Sequence, residues 1–211
     1  MIFSPNSSPN FPRLVLASSS SYRKQLLSRL RLPFEVAVPD IDEQALPFET
    51  PHATALRLAR AKAHTIALRM PGCLVIGSDQ VATMAGVHIG KPGNHANALL
   101  QLQQMRGQRV VFHTALCLWD GRLADPAQAA QLAEVQTVVT FRNLSDAELD
   151  AYLHIEQPYD CAGSAKNEGL GIALIEAIDS SDPSALTGLP LIALCGMLRN
   201  AGVPFFTEST D

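Results

Sequence analysis

Short apolar runs alternate along the chain with segments of helical periodicity. Residues 14–17 are apolar and predict a buried strand. Leucines at helical spacing over residues 22–32 predict a helix, which Pro33 ends. Further apolar runs predict strands over residues 34–38, 74–77, 109–119 and 133–142.

Capping residues mark the ends of the other predicted helices. Thr50 and Pro51 are typical of an N-cap and a first helical position, and Ser145 with Glu148 has the spacing of a capping box. Gly202 is a typical residue just beyond a helix end. These signals predict helices over residues 51–70, 94–105, 145–155 and 190–200.

The alternation of strands and helices indicates an α/β fold. One domain over residues 13–211 accounts for the length, and residues 1–12, rich in Pro, Ser and Asn, are predicted to be a flexible extension. Residues 120–131 are predicted to be an irregular excursion between two strands. Ligands of α/β folds favour the carboxyl ends of strands, so polar residues that follow a strand are the candidates for a site.

Composition and charge exclude several classes of protein. The chain is 47% hydrophobic and 17% charged, which is typical of a globular protein, and its net charge of -4 argues against nucleic-acid binding through bulk electrostatics. No apolar run approaches the ~18 residues of a membrane span, and the first residues lack the features of a signal peptide, so we expect a cytoplasmic protein. The four cysteines form no C-x-x-C pair and predict buried free thiols, and the six histidines show no ligand spacing.

The first candidate cluster follows the strand of residues 14–17. Four serines, Ser18 to Ser21, precede Tyr22 and Arg23 at the start of the next helix. A helix N-terminus presents unpaired N–H groups, serine hydroxyls add donors, and the Arg23 guanidinium suits phosphate oxygens. The junction therefore indicates a phosphate site, although a serine-capped helix with solvated cations explains this stretch equally well.

Carboxylates and lysines form two further candidate clusters. Glu43 lies in the acidic loop after the second predicted strand, and Asp79 follows the apolar run of residues 74–77. Such oxygen ligands suit Mg²⁺, which usually takes one or two carboxylates together with substrate phosphates. Lys62 and Lys91 can bind phosphate as point charges, but each of them alone is better explained as a solvated side chain. Taken together, the clusters indicate metal-dependent chemistry on a phosphorylated small molecule.

Six motifs occur in the same order as in the Maf-type nucleoside triphosphate pyrophosphatases, and the sequence resembles this family from about Arg13 to Gly202. They are L-V-L-A-S-S-S-S-Y-R-K-Q-L-L, P-D-I-D-E, A-R-A-K-A, I-G-S-D-Q-V, G-K-P and C-A-G-S-A-K-N-E-G-L-G. The resemblance implies an α/β fold with a central mixed, twisted sheet flanked by helices, and two lobes with a cleft between them. It also implies hydrolysis of a nucleoside triphosphate to a monophosphate and diphosphate with a divalent cation, Mg²⁺ or Mn²⁺.

The same resemblance assigns roles to residues of these motifs. Asp79 is implied to be catalytic and to bind the metal together with Glu43. The triphosphate-binding residues that it implies are Ser18, Ser20, Arg23, Lys62 and Lys91. The base-contacting residues that it implies are Tyr22, Gln80 and Glu168.

Base specificity differs between branches of the family. The branch that acts on dTTP and UTP typically has Arg, Thr and Gln at the positions of Tyr22, Gln80 and Glu168. The branch that acts on 7-methyl-GTP has an aromatic residue, Gln and Glu, and this sequence is similar to it at all three positions. Tyr22 can stack on the cationic methylated base, and Glu168 can accept hydrogen bonds from guanine N1–H and the 2-amino group.

Some alternatives stay open at this point. Ser21 and Ala115 stand where the family usually has Pro and Gly, which leaves the geometry of the pocket undetermined. One alternative function is a dTTP/UTP or broader nucleotide pyrophosphatase, and another is a non-catalytic regulator of septum formation and cell division. The expected partner is a free nucleoside triphosphate, with no nucleic acid and no membrane, and a homodimer stays open.

Overall fold

A computed structural model describes residues 11–206, so residues 1–10 of the predicted flexible extension lie outside the described residues, as do residues 207–211. The strands and helices in chain order are β1 (Leu14–Ala17), α1 (Ser21–Ser28), β2 (Glu35–Ala37), α2 (Pro51–Arg69), β3 (Leu74–Met84), β4 (Val87–Ile89), α3 (His95–Met105), β5 (Arg109–Asp120), α4 (Pro126–Ala129), β6 (Ala130–Phe141), α5 (Asp146–Glu156), β7 (Ile175–Ser180) and α6 (Leu191–Asn200). Short 3₁₀ turns cover Ala162–Ser164, Leu170–Leu174 and Ala185–Thr187.

The described strands form one mixed sheet, which confirms the predicted fold class. The seven-stranded sheet has the order β2-β1-β3-β5-β6-β7, and β4 pairs with β3 off this path. β1 pairs in parallel with β2 and with β3, whereas β5, β6 and β7 are added antiparallel. The parallel strands therefore lie together on one side of the sheet, where their carboxyl ends share an edge.

β3 is longer than predicted, and Asp79 lies inside this strand rather than after it. The strand continues to Met84 because it keeps pairing with β5, where Asp79 lies opposite Ala115. β1, by contrast, ends at Ala17, opposite Gly77 of β3. Asp79 therefore lies just beyond the carboxyl end of β1, which is the edge at which a ligand is expected.

Other boundaries also differ from the predictions. α1 ends at Ser28, before the predicted end, and Arg31 then adopts a left-handed conformation with φ 55°. β4 and β7 were not predicted, because β4 has 3 residues and the middle of β7 is exposed and partly polar, so neither shows an apolar run. Residues 120–131, which were predicted to be an irregular excursion, contain the last residue of β5, the helix α4 and the first two residues of β6.

Hydrophobic clusters divide the described residues into two lobes. In the first lobe, α1 and α6 cover one face of the sheet in a cluster that includes Leu16, Leu27 and Leu198. α2 covers the opposite face through buried alanines such as Ala59. In the second lobe, α3 and α5 pack with the far ends of β5 and β6 around a cluster that includes Leu153.

The alanines of α2 let this helix lie very close to β3. A Cβ atom added to Gly77 would overlap with the backbone of Ala59 and Ala63, so a larger residue cannot stand there. Thr50 caps the first turn of α2 as predicted, since its side chain accepts a hydrogen bond from the Ala53 amide. The close packing brings Lys62 to the strand that carries Asp79.

Two further expectations concern membranes and thiols. Within residues 11–206, no helix is both long and apolar enough to cross a membrane. The four cysteines are free, and Cys73 and Cys117 are buried as predicted. Cys161 and Cys195 are only partly buried, so the prediction of buried thiols is wrong for these two.

Candidate active site

A cavity of about 600 Å³ lies between the two lobes. This volume is in the range of small-molecule sites in proteins. Every site residue predicted from the sequence lines this one cavity: Ser18, Ser20, Tyr22, Arg23, Glu43, Lys62, Asp79, Gln80, Lys91 and Glu168. The fold thus gathers these side chains, and their individual roles stay predictions.

The serines at the β1–α1 junction cap the helix and border the cavity at the same time. The Ser20 side chain is the N-cap of α1 and accepts a hydrogen bond from the Arg23 amide at 3.4 Å. The Ser18 hydroxyl oxygen accepts from the Ser20 amide at 3.1 Å. Each hydroxyl acts as an acceptor in these contacts and keeps its own proton to donate to an anion. The capping and anion-binding interpretations of this stretch are therefore compatible.

Arg23 is held in place by a backbone carbonyl. Its Nε donates to Gly188 O at 2.9 Å, and Gly188 has φ 105°, a conformation that favours glycine. A Cβ atom at Gly188 would also lie 3.4 Å from Arg23 Nε. Burial lowers the pKa of the Arg23 guanidinium, while the charges of Asp79 and Glu43 act in the opposite direction. The Arg23 guanidinium is thus a fixed positive charge in the first turn of α1.

Lys62 contacts two carboxylates inside the cavity. Its Nζ lies 2.6 Å from Asp79 Oδ1 and 2.8 Å from Glu43 Oε1. Lys62 is 5% exposed and Asp79 is 7% exposed, whereas the Glu43 side chain is 60% exposed. A buried charge needs a partner of opposite sign, and this pairing meets the need of both buried groups. The same contacts bring the two acidic side chains to one point.

Glu43 and Asp79 form a donor set that fits a hard divalent cation. Both offer carboxylate oxygens, the ligand type that Mg²⁺ and Mn²⁺ prefer. Among the described residues, Asp79 accepts a side-chain hydrogen bond from Lys62 alone, through Oδ1. Its second oxygen is therefore available to a cation, and the exposed Glu43 side chain can adjust to share it.

Only one orientation of the Gln80 side-chain amide satisfies the hydrogen-bonding groups around it. Its Nε2 lies 3.1 Å from Ala185 O, 3.0 Å from Leu186 O and 2.9 Å from Thr114 Oγ1. Carbonyl oxygens can only accept hydrogen bonds, so the amide nitrogen and not the amide oxygen must face them. The Thr114 hydroxyl donates to Ala185 O at 3.0 Å and can accept from Gln80. The atom that Gln80 leaves for the cavity is therefore Oε1, an acceptor.

Tyr22 stands among acidic groups and a thiol. The Cys161 thiol lies 3.7 Å from the Tyr22 hydroxyl. Burial above all, and then Cys161, Asp160 and Glu168, raise the pKa of Tyr22 far above its ordinary value, so the ring is neutral. Burial also raises the pKa of the Cys161 thiol to about 11, which makes it a poor nucleophile at neutral pH.

The remaining predicted residues are exposed on loops of the second lobe. Lys91 follows β4, and Glu168 lies between the first two 3₁₀ turns. The segment of Glu168 is tied to the opposite rim, because Asn167 Nδ2 donates to Thr187 Oγ1 at 3.1 Å. The exposed Glu168 side chain can therefore move toward a ligand while its segment is held.

Three residues that shape the cavity were missed by reasoning from the sequence. Thr114 orients Gln80, Gly188 holds Arg23, and Cys161 contacts Tyr22. Cys161 is the first residue of the motif C-A-G-S-A-K-N-E-G-L-G, so this motif could have marked it as a candidate site residue. Thr114 contacts Gln80 through its hydroxyl and Gly188 contacts Arg23 through its carbonyl, and no local pattern marks such contacts between distant segments.

The fold is that of an α/β protein with a polar cavity beside the carboxyl end of a parallel strand, and comparison with known proteins identifies the family. The chain belongs to the Maf family, since the family model described as Maf-like protein matches residues 13–201. A relative in Cupriavidus metallidurans, named 7-methyl-GTP pyrophosphatase, is 66% identical over 200 residues, which is 95% of this chain and 98% of the relative. A relative of the same name in Ralstonia nicotianae is 63% identical over 195 residues, covering 92% and 98% of the two chains.

Solved structures resemble the chain only loosely. A HAM1 protein from Coxiella burnetii aligns with a TM-score of 0.44 and 18% identity, over 64% of this chain and 75% of that one. A likeness at this level carries no argument about function.

Proposed function

We propose that this protein hydrolyses 7-methyl-GTP to 7-methyl-GMP and diphosphate. The orientation of Gln80, which presents an acceptor to the cavity that the Glu168 carboxylate also lines, supports a guanine base. The Tyr22 ring beside the negative charges of Asp160 and Glu168 is the observation that carries the choice of the methylated, cationic form. Relatives at 66% and 63% identity carry the name of this activity. The expected substrate is thus a free nucleotide, and we expect the reaction to take place in the cytoplasm.

Two acceptors at the base end of the cavity suit guanine. Guanine presents two neighbouring hydrogen-bond donors, N1–H and the 2-amino group. The Glu168 carboxylate and Gln80 Oε1 can accept hydrogen bonds from them. Uracil and thymine present carbonyl oxygens beside their one N–H, so an acceptor would face an acceptor. Mismatched buried polar groups can discriminate by ~10⁴ or more, and the exposure of Glu168 lowers the expected figure to about 100-fold. GTP and 7-methyl-GTP share these donors, so the two acceptors alone do not separate them.

The positive charge of the methylated base is the feature that distinguishes it from guanine. Tyr22 offers a neutral aromatic face, and a cation on such a face gains about 0.5–2 kcal/mol, or roughly 2- to 30-fold in affinity. The negative charges of Asp160 and Glu168 lie close enough to Tyr22 to raise its pKa. The same charges favour a cationic base over a neutral one.

The phosphate end supplies the groups for hydrolysis. Ser18, Ser20 and Arg23 would bind the triphosphate with Lys62 and Lys91. A water oxygen adds to the α-phosphorus, the bond from this phosphorus to the α–β bridging oxygen breaks, and diphosphate leaves with the electron pair. Asp79 orients or deprotonates the attacking water, and the cations offset the charge that develops on diphosphate.

Glu43 and Asp79 are the residues that would hold one or two divalent cations. Such a cation, when bound, neutralises phosphate charge and lowers the pKa of a coordinated water. The Lys62 ammonium keeps both carboxylates close to each other before substrate binds. The Lys62 ammonium lines the cavity and would also pair with a triphosphate oxygen there.

The test is a diphosphate-release assay of the full chain with Mg²⁺ or Mn²⁺, comparing 7-methyl-GTP, GTP, UTP and dTTP. We expect kcat/KM for 7-methyl-GTP to exceed the values for UTP and dTTP by about 100-fold or more, because of the acceptor mismatch. We expect it to exceed that for GTP by roughly 2- to 30-fold, the range of a cation–aromatic contact.

Other outcomes would support the alternatives. Equal rates on all four nucleotides, or a preference for UTP and dTTP, would contradict the base recognition and leave a broader pyrophosphatase. Absence of any turnover would favour a non-catalytic role. Size-exclusion chromatography with light scattering of the same preparation would show whether the active species is a homodimer.

A further inference from the structure

A group of metal-binding side chains lies on the second lobe, outside the cavity. His95 is the first residue of α3, whose N-cap is Asn94, and Asp150 and His154 are one turn apart on α5. Residues at this spacing share one face of a helix. α3 and α5 pack together in the second lobe, and a contact between His95 and Asp150 joins the start of α3 to the middle of α5. The sequence alone gave no sign of this, because His95 is far from the other two along the chain.

The three side chains converge. His95 Nε2 lies 2.8 Å from Asp150 Oδ1, and His154 Nδ1 lies 3.4 Å from Asp150 Oδ2. One ligand atom from each residue lies within 4.8 Å of the other two. The His95 side chain is 33% exposed and that of His154 is 68% exposed, so small adjustments of either ring are allowed.

Supporting hydrogen bonds surround this group. His95 Nδ1 lies 3.1 Å from the Tyr159 hydroxyl, which can donate to Leu153 O at 3.4 Å. With that donation made, the Tyr159 oxygen can accept from His95 Nδ1–H, while His95 Nε2 carries a proton in its 2.8 Å contact with Asp150 Oδ1 and would release it to bind a metal. Metal-binding histidines typically donate their second ring N–H to such a partner. His154 Nδ1 donates to the Asp150 carbonyl oxygen at 2.9 Å, so His154 would bind a metal either by releasing this proton or by turning its ring to offer Nε2.

The types of ligand atom in this group indicate which metal ion it would bind. Two imidazoles and one carboxylate suit Zn²⁺ and neighbouring late transition metals, whereas Mg²⁺ requires oxygen ligands. Zinc bonds of about 2.0–2.2 Å need ligand atoms slightly farther apart than His95 and Asp150 are now, and the exposed rings can provide this. Water would complete the coordination.

The three residues lie next to two loops that border the cavity, and this position indicates what a bound metal would do. Lys91, a predicted triphosphate-binding residue, lies in the loop that leads to His95. The Gly93 amide in this loop donates to Tyr159 O at 3.0 Å, and Tyr159 directly precedes the cavity-lining Asp160. A metal that joins α3 to α5 would therefore hold both loops that border the cavity in the second lobe.

We propose that His95, Asp150 and His154 bind one Zn²⁺ or similar transition-metal ion, separate from the Glu43–Asp79 carboxylates, and that this ion braces the second lobe. The proposal does not depend on the proposed substrate. The test titrates the metal-free full chain with Zn²⁺ by calorimetry and with Co²⁺ by visible absorption. The protein carries Asp79→Asn, which removes one cavity carboxylate while Glu43 still pairs with the buried Lys62.

We expect one zinc equivalent whose affinity falls at least tenfold when His154→Gln is added, with loss of the Co²⁺ absorption bands of a nitrogen-ligated site. We also expect saturating Zn²⁺ to raise Tm by roughly 5 °C only while His154 is present. The matched control is His64→Gln, since His64 stacks on Trp119 away from this group. Equal zinc binding with and without His154 and His95, or no zinc binding in the low micromolar range, would overturn the proposal in favour of a simple His95–Asp150 hydrogen bond.

Discussion

The Lys62 ammonium lies 2.6 Å from the Asp79 carboxylate, and both groups are buried where β1 ends and β3 continues. The contact joins the Ala-rich α2 to the central strand of the sheet. A lysine and an aspartate in a cavity that also holds Glu43 and Arg23 form a site in which charges of both signs balance. The balance explains how acidic and basic groups can be gathered before substrate and metal bind.

The first prediction concerns Asp79. Replacing it with Asn keeps the shape of the side chain but removes the charge that orients or deprotonates water. We expect kcat to fall by about 10²–10⁴-fold with little change in KM. Circular dichroism and the unfolding midpoint in urea check the fold, because Glu43 still offers Lys62 a partner. Near wild-type turnover in a well-folded variant would show that Asp79 is not catalytic.

The second prediction concerns Glu168. Glu168→Gln replaces one of two acceptor oxygens by an NH₂ group, which opposes the guanine donors and suits a pyrimidine carbonyl. We expect kcat/KM for GTP and for 7-methyl-GTP both to fall by about tenfold or more, with the larger fall for the cationic 7-methyl-GTP, while that for UTP rises. Glu176→Gln is the matched control, since Glu176 is exposed on β7 and does not line the cavity. A drop for 7-methyl-GTP alone would contradict this assignment.

The third prediction separates stacking from hydrogen bonding at Tyr22. Tyr22→Phe keeps the ring and removes the hydroxyl that contacts Cys161. Tyr22→Leu removes the ring. We expect Tyr22→Phe to keep the ratio of kcat/KM for 7-methyl-GTP over GTP, and Tyr22→Leu to lower it by roughly 2- to 30-fold. The assignment of Tyr22 to the cationic base fails if the ratio survives in the Leu variant.

The fourth prediction tests the orientation of Gln80. Thr114→Val removes one of the three acceptors around Gln80 Nε2 and so weakens the orientation of the amide, which the carbonyls of Ala185 and Leu186 still favour. We expect discrimination between 7-methyl-GTP and UTP to fall by about tenfold, the worth of one hydrogen bond. Thr137→Val is the control, because Thr137 is a buried threonine of β6 bonded to Ser180 outside the cavity. It should lose stability without changing substrate preference.

The features that could be predicted from the sequence have local causes. The Ser145–Glu148 capping box forms as predicted, and so does the Ser20 cap that follows β1. Each depends on residues within one helical turn, so the pattern alone is enough. Six motifs in order also identified the family, since the residues of a shared cavity recur as short segments even where they are far apart in the chain.

The features that could not be predicted depend on contacts between distant segments. Gln80 is oriented by carbonyls of Ala185 and Leu186, and any residue type supplies a carbonyl. Asp79 was expected after a strand, because an acidic residue is unusual inside one. It stays in β3 because Lys62, from a different element, provides its partner. Pairing across elements decides both cases, and periodicity along one element contains no information about it.

The last prediction concerns the loop that carries Glu43. Glu49 accepts hydrogen bonds from Arg57 Nε at 2.7 Å and from the Leu46 amide at 3.1 Å, and Arg57 also donates to Gln44 O at 2.9 Å. This network anchors the backbone next to Glu43. The Arg57 hydrogen bonds above all hold the pKa of Glu49 at about 2, below its ordinary value of 4.5.

A carboxyl group with a lowered pKa in the folded state stabilises the fold above its unfolded pKa, and the stabilisation is lost as pH falls through the folded value. We therefore expect Glu49→Gln to unfold at lower urea concentration than the wild type at pH 7, and the difference to shrink as pH falls from about 4.5 towards 2. We also expect the variant to need more Mg²⁺ for half-maximal activity, because Glu43 would be less well placed. Glu35→Gln, which breaks the exposed Arg13 pair instead, should leave the Mg²⁺ requirement unchanged. An unchanged requirement in Glu49→Gln as well would mean that the loop needs no anchor to place Glu43.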